Sequence, residues 1–183
     1  MHLNKDIDLI KRLKNPKQVD TAFIELLDLY QERLYWHIRK IVITHDNASD
    51  VLQNTFIRVY KGIKNFKEKS TLHTWMYRIA YNESIRFLEK NKLKFAESLE
   101  QDSNPYIDNL KQDVYFNGDE LQLKLQTIIS QLSEKQQRIF QMKYYDDLSF
   151  REISEILGTS ESTLKSSYYS VAKKIEEEII ALA

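Results

Sequence analysis

The residues whose types and spacing could do chemistry lie in two places, and in both the chemistry is recognition rather than catalysis. In "LSFREISEILGTSESTLKSSYYSVAKK", residues 148–174, Ser149 and Glu152 stand at capping-box spacing, so a helix should run from Phe150 to about Leu157. Gly158 supplies the backbone freedom for a turn, and Ser160 should cap a second helix. Leu164, Tyr168, Val171 and Ile175 then recur at helical spacing and face inward. That leaves Ser162, Thr163, Lys165, Ser166, Tyr169 and Lys173 on the outer side. Short polar side chains near a helix start approach base edges, and lysines reach phosphates or guanine. These six are therefore candidate contacts of a helix-turn-helix with duplex DNA. The competing reading is an ordinary helical hairpin packed within a bundle.

The second place is a run of cations. The whole chain is formally neutral, with 27 basic and 27 acidic residues, but the charge is segregated. Residues 58–94 hold ten basic side chains (Arg58, Lys61, Lys64, Lys67, Lys69, Arg78, Arg86, Lys90, Lys92 and Lys94) against three acidic ones. Residues 95–120 hold one basic and seven acidic, residues 121–183 eight and nine, and residues 1–57 balance. A basic block followed by an acidic one is the pattern of a polyanion-binding surface with an acidic strap, or of two solvated faces that adjoin. The C-terminal block carries a net charge of −1, and phosphate affinity scales with the cations engaged. Its helix-turn-helix should therefore bind duplex DNA weakly without help.

Other chemistries find no support. The four histidines (2, 37, 45 and 73) are scattered, and there is no His-Glu-x-x-His spacing and no Gly-rich phosphate loop. The chain has no cysteine, which excludes disulfides, cysteine zinc sites and a thiol nucleophile. No catalytic residue, cofactor or metal is expected, and His73 is read as incidental. No apolar run reaches membrane-spanning length and no secretory leader is expected, which fits a cytoplasmic protein.

The elements that must position these residues are helices nearly throughout. Over 21–43, Phe23, Leu26, Leu27, Tyr30, Leu34, Ile38 and Ile41 form one apolar stripe. "THDNASD" interrupts it with turn and N-cap residues, and Val51, Leu52, Thr55, Phe56, Val59 and Tyr60 begin another, with Gly62 as the expected stop. A third helix is expected from about Leu72 to Lys90, carrying Trp75, Met76, Ile79, Ala80 and Leu88. From Phe95 to about Asp119 the period fails, and Pro105 and Gly118 break the chain. Leu121, Leu125, Ile128, Ile129 and Leu132 then restore it, and "SEKQ" at 133–136 should cap a helix carrying Ile139, Phe140, Met142 and Tyr144. The fold class is all-α: two small helical domains, 1–95 and 121–183, joined by an acidic linker, 96–120.

Three stretches in this order resemble the extracytoplasmic-function (ECF) group of bacterial RNA polymerase sigma factors. "SDVLQNTFIRVYKGIKNF" and "STLHTWMYRIAYNESIRFLEK" are similar to sigma region two, and the C-terminal block from "LSEKQQRIF" onward to region four. The resemblance implies that Asp50, Leu52, Gln53, Asn54, Phe56 and Arg58 dock on core RNA polymerase. It implies that Lys67, Lys69, Ser70, Thr71, Trp75, Arg78, Asn82 and Arg86 hold the promoter −10 element as single-stranded DNA, with a flipped base trapped near "KEKSTLH". The helix-turn-helix, Ser167 included, would read the −35 element as a duplex, and an anti-sigma factor is an implied partner. The chain departs from the family in having Ser167 and Ser170 where Arg is frequent, Ser154 in place of Ala, and no glycine in "EKSTL". The rival readings are a two-domain regulator acting without polymerase, an enzyme, and a protein-binding adaptor.

Overall fold

The structure, a computed structural model, describes residues 2–98 and 120–181, with side chains described for 6–91 and 122–181. Among the described residues there are eight α-helices and no strand. They are α1 (His2–Lys14), α2 (Val19–Val42), α3 (His45–Gly62), α4 (Leu72–Ser98), α5 (Glu120–Ser130), α6 (Glu134–Tyr144), α7 (Phe150–Leu157) and α8 (Glu161–Ala181). A 3-10 turn, Ile63–Asn65, follows α3. The backbone divides into two compact units, Met1–Leu88 and Glu89–Ala183, with the division falling within α4.

In the first unit α2 packs on both α1 and α3. The stripe expected on α2 is the buried face: Leu26, Leu34 and Ile38 are inaccessible, with Phe23, Leu27 and Ile41 half-buried beside them. Tyr30 is also buried, and that burial pushes its phenol up to about 12. His73 lies half-buried on the ring of Tyr77, centroids 4.4 Å apart, and His37 meets the same ring at 4.9 Å. Both histidines are packing residues of this core.

Several expectations are corrected. α1 has no counterpart among the expected helices, yet Leu9, Ile10 and Leu13 are core residues. The helix expected to stop at Lys90 runs to Ser98, so Phe95 to Ser98 continue it rather than begin a linker; 99–119 lie outside the described residues. Of the stripe expected on α3, Val51, Thr55 and Val59 are fully buried, with Thr55 bonding the Val51 carbonyl, whereas Leu52 is half-buried and Tyr60 exposed. Gly62 does end α3, but with a right-handed backbone, φ −90°, not the left-handed stop expected of a glycine. A Cβ there would meet the Trp75 ring at 3.3 Å, so the glycine serves close approach.

In the second unit α8 packs on α5, α6 and α7. Ile128, Ile129, Leu132, Phe140, Val171 and Ile175 form its core, with Leu125, Tyr168 and Ile179 against them. The side chain of Leu121 lies outside those described. Both expected capping boxes are present, Ser133 with Gln136 and Ser149 with Glu152. Tyr144, expected on α6 beside core residues, is 56% exposed.

Candidate nucleic-acid interface

In the second unit, α7, a turn and α8 form the helix-turn-helix. Gly158 takes the left-handed conformation, φ 64°, and a Cβ there would touch nothing, so only the backbone demands glycine. Ser160 Oγ accepts the Thr163 amide at 3.3 Å and also lies 2.8 Å from the Thr163 hydroxyl, so the cap occupies part of that candidate contact. Leu164, Val171 and Ile175 are buried, while Ser162, Thr163, Lys165, Ser166, Tyr169 and Lys173 are exposed or half-buried on the outer side, as is Ser167. The outer face is therefore placed as expected.

Its charge is further muted by local pairing. Lys165 Nζ lies 3.6 Å from Glu161, Lys173 3.7 Å from Glu177 and Lys174 3.6 Å from Glu178, each one helical turn away. Beside this face runs a series of ring contacts: Tyr144 stacks on Phe140 at 5.1 Å, Phe140 on Tyr168 at 5.8 Å, and Phe150 meets Tyr168 and Tyr169 at 5.7 and 6.2 Å. The ammonium groups of Lys143 and Lys165 approach the Phe150 ring at 5.7 and 5.9 Å. Burial, then the neighbouring Tyr169 and Tyr144, raise the Tyr168 phenol above its ordinary value.

In the first unit the candidate single-strand residues occupy the segment after the 3-10 turn and the first turns of α4. Thr71 caps α4: its hydroxyl accepts the Thr74 amide at 3.0 Å and meets the Thr74 hydroxyl at 2.8 Å. Lys67 and Lys69 are exposed and Ser70 is half-buried. The segment contains no glycine, and Glu68 itself adopts a left-handed backbone, φ 55°. Lys14, the last residue of α1, forms an ion pair with Glu68 and lies 5.8 Å over the buried Phe66 ring. Trp75 is half-buried against Phe66, centroids 4.9 Å apart, and Gly62. Arg78 is half-buried, while Asn82 and Arg86, one and two turns further along α4, lie on its accessible side.

On α3, Asp50, Gln53 and Asn54 are exposed, and the Asn54 amide donates to the Asp50 carbonyl at 3.0 Å. Phe56 is 7% exposed and meets Phe23 edge-on at 6.2 Å, so it supports this face from within. Arg58 stands two turns beyond Asp50 and one beyond Asn54 on the same strip of α3, but it is paired across to α4: its Nε lies 2.7 Å from Glu83 Oε1, the same oxygen that accepts Arg86 Nη1 at 2.6 Å. Two arginines expected on separate surfaces thus meet at one carboxylate. Sequence reasoning missed Glu83, Lys14 and Glu68. Only the three-residue step from Glu83 to Arg86 was legible as a pair.

Comparison with known proteins finds two family regions in the chain. Residues 26–93 match the model of sigma-70 region 2, and residues 122–175 that of sigma-70 region 4. The chain is 29% identical over 178 residues to the ECF RNA polymerase sigma factor SigW of Bacillus subtilis, covering 92% of this chain and 95% of SigW. It is 26% identical to the ECF RNA polymerase sigma-E factor of Haemophilus influenzae, over 86% of this chain and 87% of that one. In fold it is similar to CnrH, solved with the cytosolic domain of CnrY, at a TM-score of 0.68 and 16% identity, covering 97% of this chain and 99% of CnrH. It is also similar to RpoE of Bartonella quintana, solved with the anti-sigma factor NepR, at 0.67 and 19%, covering 87% and 96%. With both regions present in order, and with relatives matched over nearly their whole length, the chain belongs to the ECF group of sigma-70 family RNA polymerase sigma factors.

Proposed function

We propose that the protein joins core RNA polymerase, reads promoter −35 DNA as a duplex with α8, and holds the −10 element as a single strand along α4. The observation that carries this reading is the weakness of the duplex reader. The outer face of α8 is polar and correctly capped, but each of its exposed lysines has a glutamate within reach. Such a face supplies sequence contacts without the phosphate affinity of an independent DNA binder, so something larger has to hold it on DNA. This also counts against a regulator acting without polymerase.

In this reading Asp50, Gln53 and Asn54 present a polar surface to the polymerase, backed by Phe56 and the half-buried Leu52. Lys67, Lys69, Ser70, Thr71, Trp75, Arg78, Asn82 and Arg86 supply charge, an aromatic platform and hydrogen-bonding groups for unstacked bases. The role is recognition and melting without a catalytic step of its own, in the cytoplasm where the polymerase works. An anti-sigma factor is the expected regulator, since RpoE was solved with the anti-sigma factor NepR and CnrH with the cytosolic domain of CnrY. The test is transcription from genomic fragments by core polymerase with and without the protein, beside gel filtration of the mixture. Co-elution and new, fragment-specific transcripts are expected; DNA binding that ignores core polymerase would defeat the reading.

A further inference from the structure

We propose that Arg58 and Arg86, held side by side by Glu83, form a phosphodiester-binding site for single-stranded DNA at the edge shared by α3 and α4. The proposal rests on the sigma-factor reading above and reassigns Arg58 within it, from the polymerase-facing set to the DNA-facing one. Glu83 is a positioning residue.

The geometry is specific. The Glu83 side chain is 10% exposed, while those of Arg58 and Arg86 are 52% and 59% exposed. One carboxylate oxygen takes Nε of Arg58 and Nη1 of Arg86. The two guanidiniums are therefore forced to be neighbours, and each keeps further N–H donors beyond the one given to Glu83. One negative charge among two positive ones leaves an excess of cation at a partly exposed spot. A second anion completes such a cluster, and a phosphodiester matches the planar fork of a guanidinium with its two free oxygens.

The surroundings favour a nucleic-acid phosphate over a protein carboxylate. Along α4, Trp75, Asn82, Arg86 and Lys90 follow at steps of seven, four and four, which aligns them on one strip of the helix. Asn82, Arg86 and Lys90 are accessible on it and Trp75 is half-buried. An aromatic ring, an amide and cations in a row are the parts of a single-strand groove. On α3 the residues one and two turns before Arg58 are Asn54 and Asp50, so that side extends the site with no cation.

Glu83 gives the proposal a distinctive sign. Simple electrostatics says that removing a carboxylate from a DNA-facing surface tightens DNA binding and steepens its salt dependence. Positioning says the opposite: without Glu83 the two like charges separate, both long side chains regain rotamer freedom, and the phosphate loses a prepared site.

The experiment uses holoenzyme reconstituted from core polymerase and the full chain. The probe is a fluorescent non-template-strand oligonucleotide carrying the −10 element of a promoter that the wild-type holoenzyme transcribes. Binding is measured across a salt series, and core affinity separately by competition. Arg58→Ala and Arg86→Ala should each weaken oligonucleotide binding about three- to tenfold and lower the salt slope by about 0.7, the value for one single-strand phosphate contact. Arg58→Lys should retain the slope while recovering only part of the affinity. Glu83→Gln should weaken binding about threefold despite the added positive charge, with Glu83→Asp recovering part of it and thermal melts confirming that each variant folds. Tighter binding by Glu83→Gln would overturn the positioning role. Loss of core affinity in Arg58→Ala with unchanged oligonucleotide binding would make its partner a polymerase carboxylate and overturn the site. A double Arg58→Ala, Arg86→Ala variant that behaves as wild type in both assays would overturn it as well. A wild-type protein that gains no oligonucleotide binding from core polymerase removes the sigma-factor reading, and this site with it.

Discussion

At the scale of single residues, the two surfaces proposed to face DNA should fail at different steps. Asn82 lies on the accessible side of α4 one turn before Arg86, and in the proposed reading it bonds a base edge that is available only after unstacking. Asn82→Ala should leave closed complexes nearly intact and reduce promoter opening, read by permanganate reactivity of melted thymines beside filter binding. In the proposed reading Lys165 contacts the duplex, and Glu161, 3.6 Å from its ammonium, would compete with phosphate for it. Lys165→Ala should weaken −35 recognition by roughly 1 kcal/mol or somewhat more, with a shallower salt slope if the contact is to phosphate. Glu161→Gln should act in the opposite direction and tighten holoenzyme binding to duplex −35 DNA. Equal binding by the two variants would show that this pair does not face the groove.

At the scale of elements, short local devices set where the reader helices begin and end. The Ser149 hydroxyl accepts the Glu152 amide at 3.2 Å, while Glu152 Oε2 accepts the Ser149 amide at 2.9 Å. Ser149→Ala should lower stability by about 1 kcal/mol, and Gly158→Ala by about 1–2 kcal/mol through its backbone alone, since a Cβ would meet nothing. Urea denaturation checks both. α1 acts on the other surface through its last residue, Lys14, which ties down Glu68 beside the exposed Lys67 and Lys69. The pair is partly exposed, so its stability contribution should stay under about 1 kcal/mol. Its expected role is to order the segment before α4. Lys14→Ala should weaken single-strand capture about two- to fivefold, with Lys14→Arg restoring it; unchanged capture would make the pair incidental.

At the scale of the whole molecule, the zero net charge is a division of labour. The cations gather in 58–94, the helix-turn-helix block carries −1, and the lysines on the outer face of α8 have glutamates a turn away. The free protein should therefore bind promoter duplex poorly at physiological salt and gain tight binding only with core polymerase. Anisotropy titrations of labelled duplex with and without core measure this directly. Nanomolar binding by the protein alone would contradict it. Charge counted in blocks marks the basic segment in the amino-acid order, and the caps and helical period mark the helix-turn-helix; their DNA-facing roles belong to the proposed reading.

Local order is written in the residues themselves. The period of Leu26, Tyr30, Leu34 and Ile38, the capping boxes at Ser133 and Ser149, and the turn at Gly158 all act over three or four residues, within reach of pattern and propensity. α1 escapes notice because its burial depends on the face that α2 offers it. α4 outruns its expected end at Lys90 because polar composition lowers helix propensity only slightly. What the tertiary structure alone decides are the meetings between distant segments: Gly62 under the Trp75 ring, Lys14 on Glu68, Arg58 and Arg86 on Glu83. Such pairs form only after packing has chosen which helix faces meet, and no local preference of the chain encodes that choice.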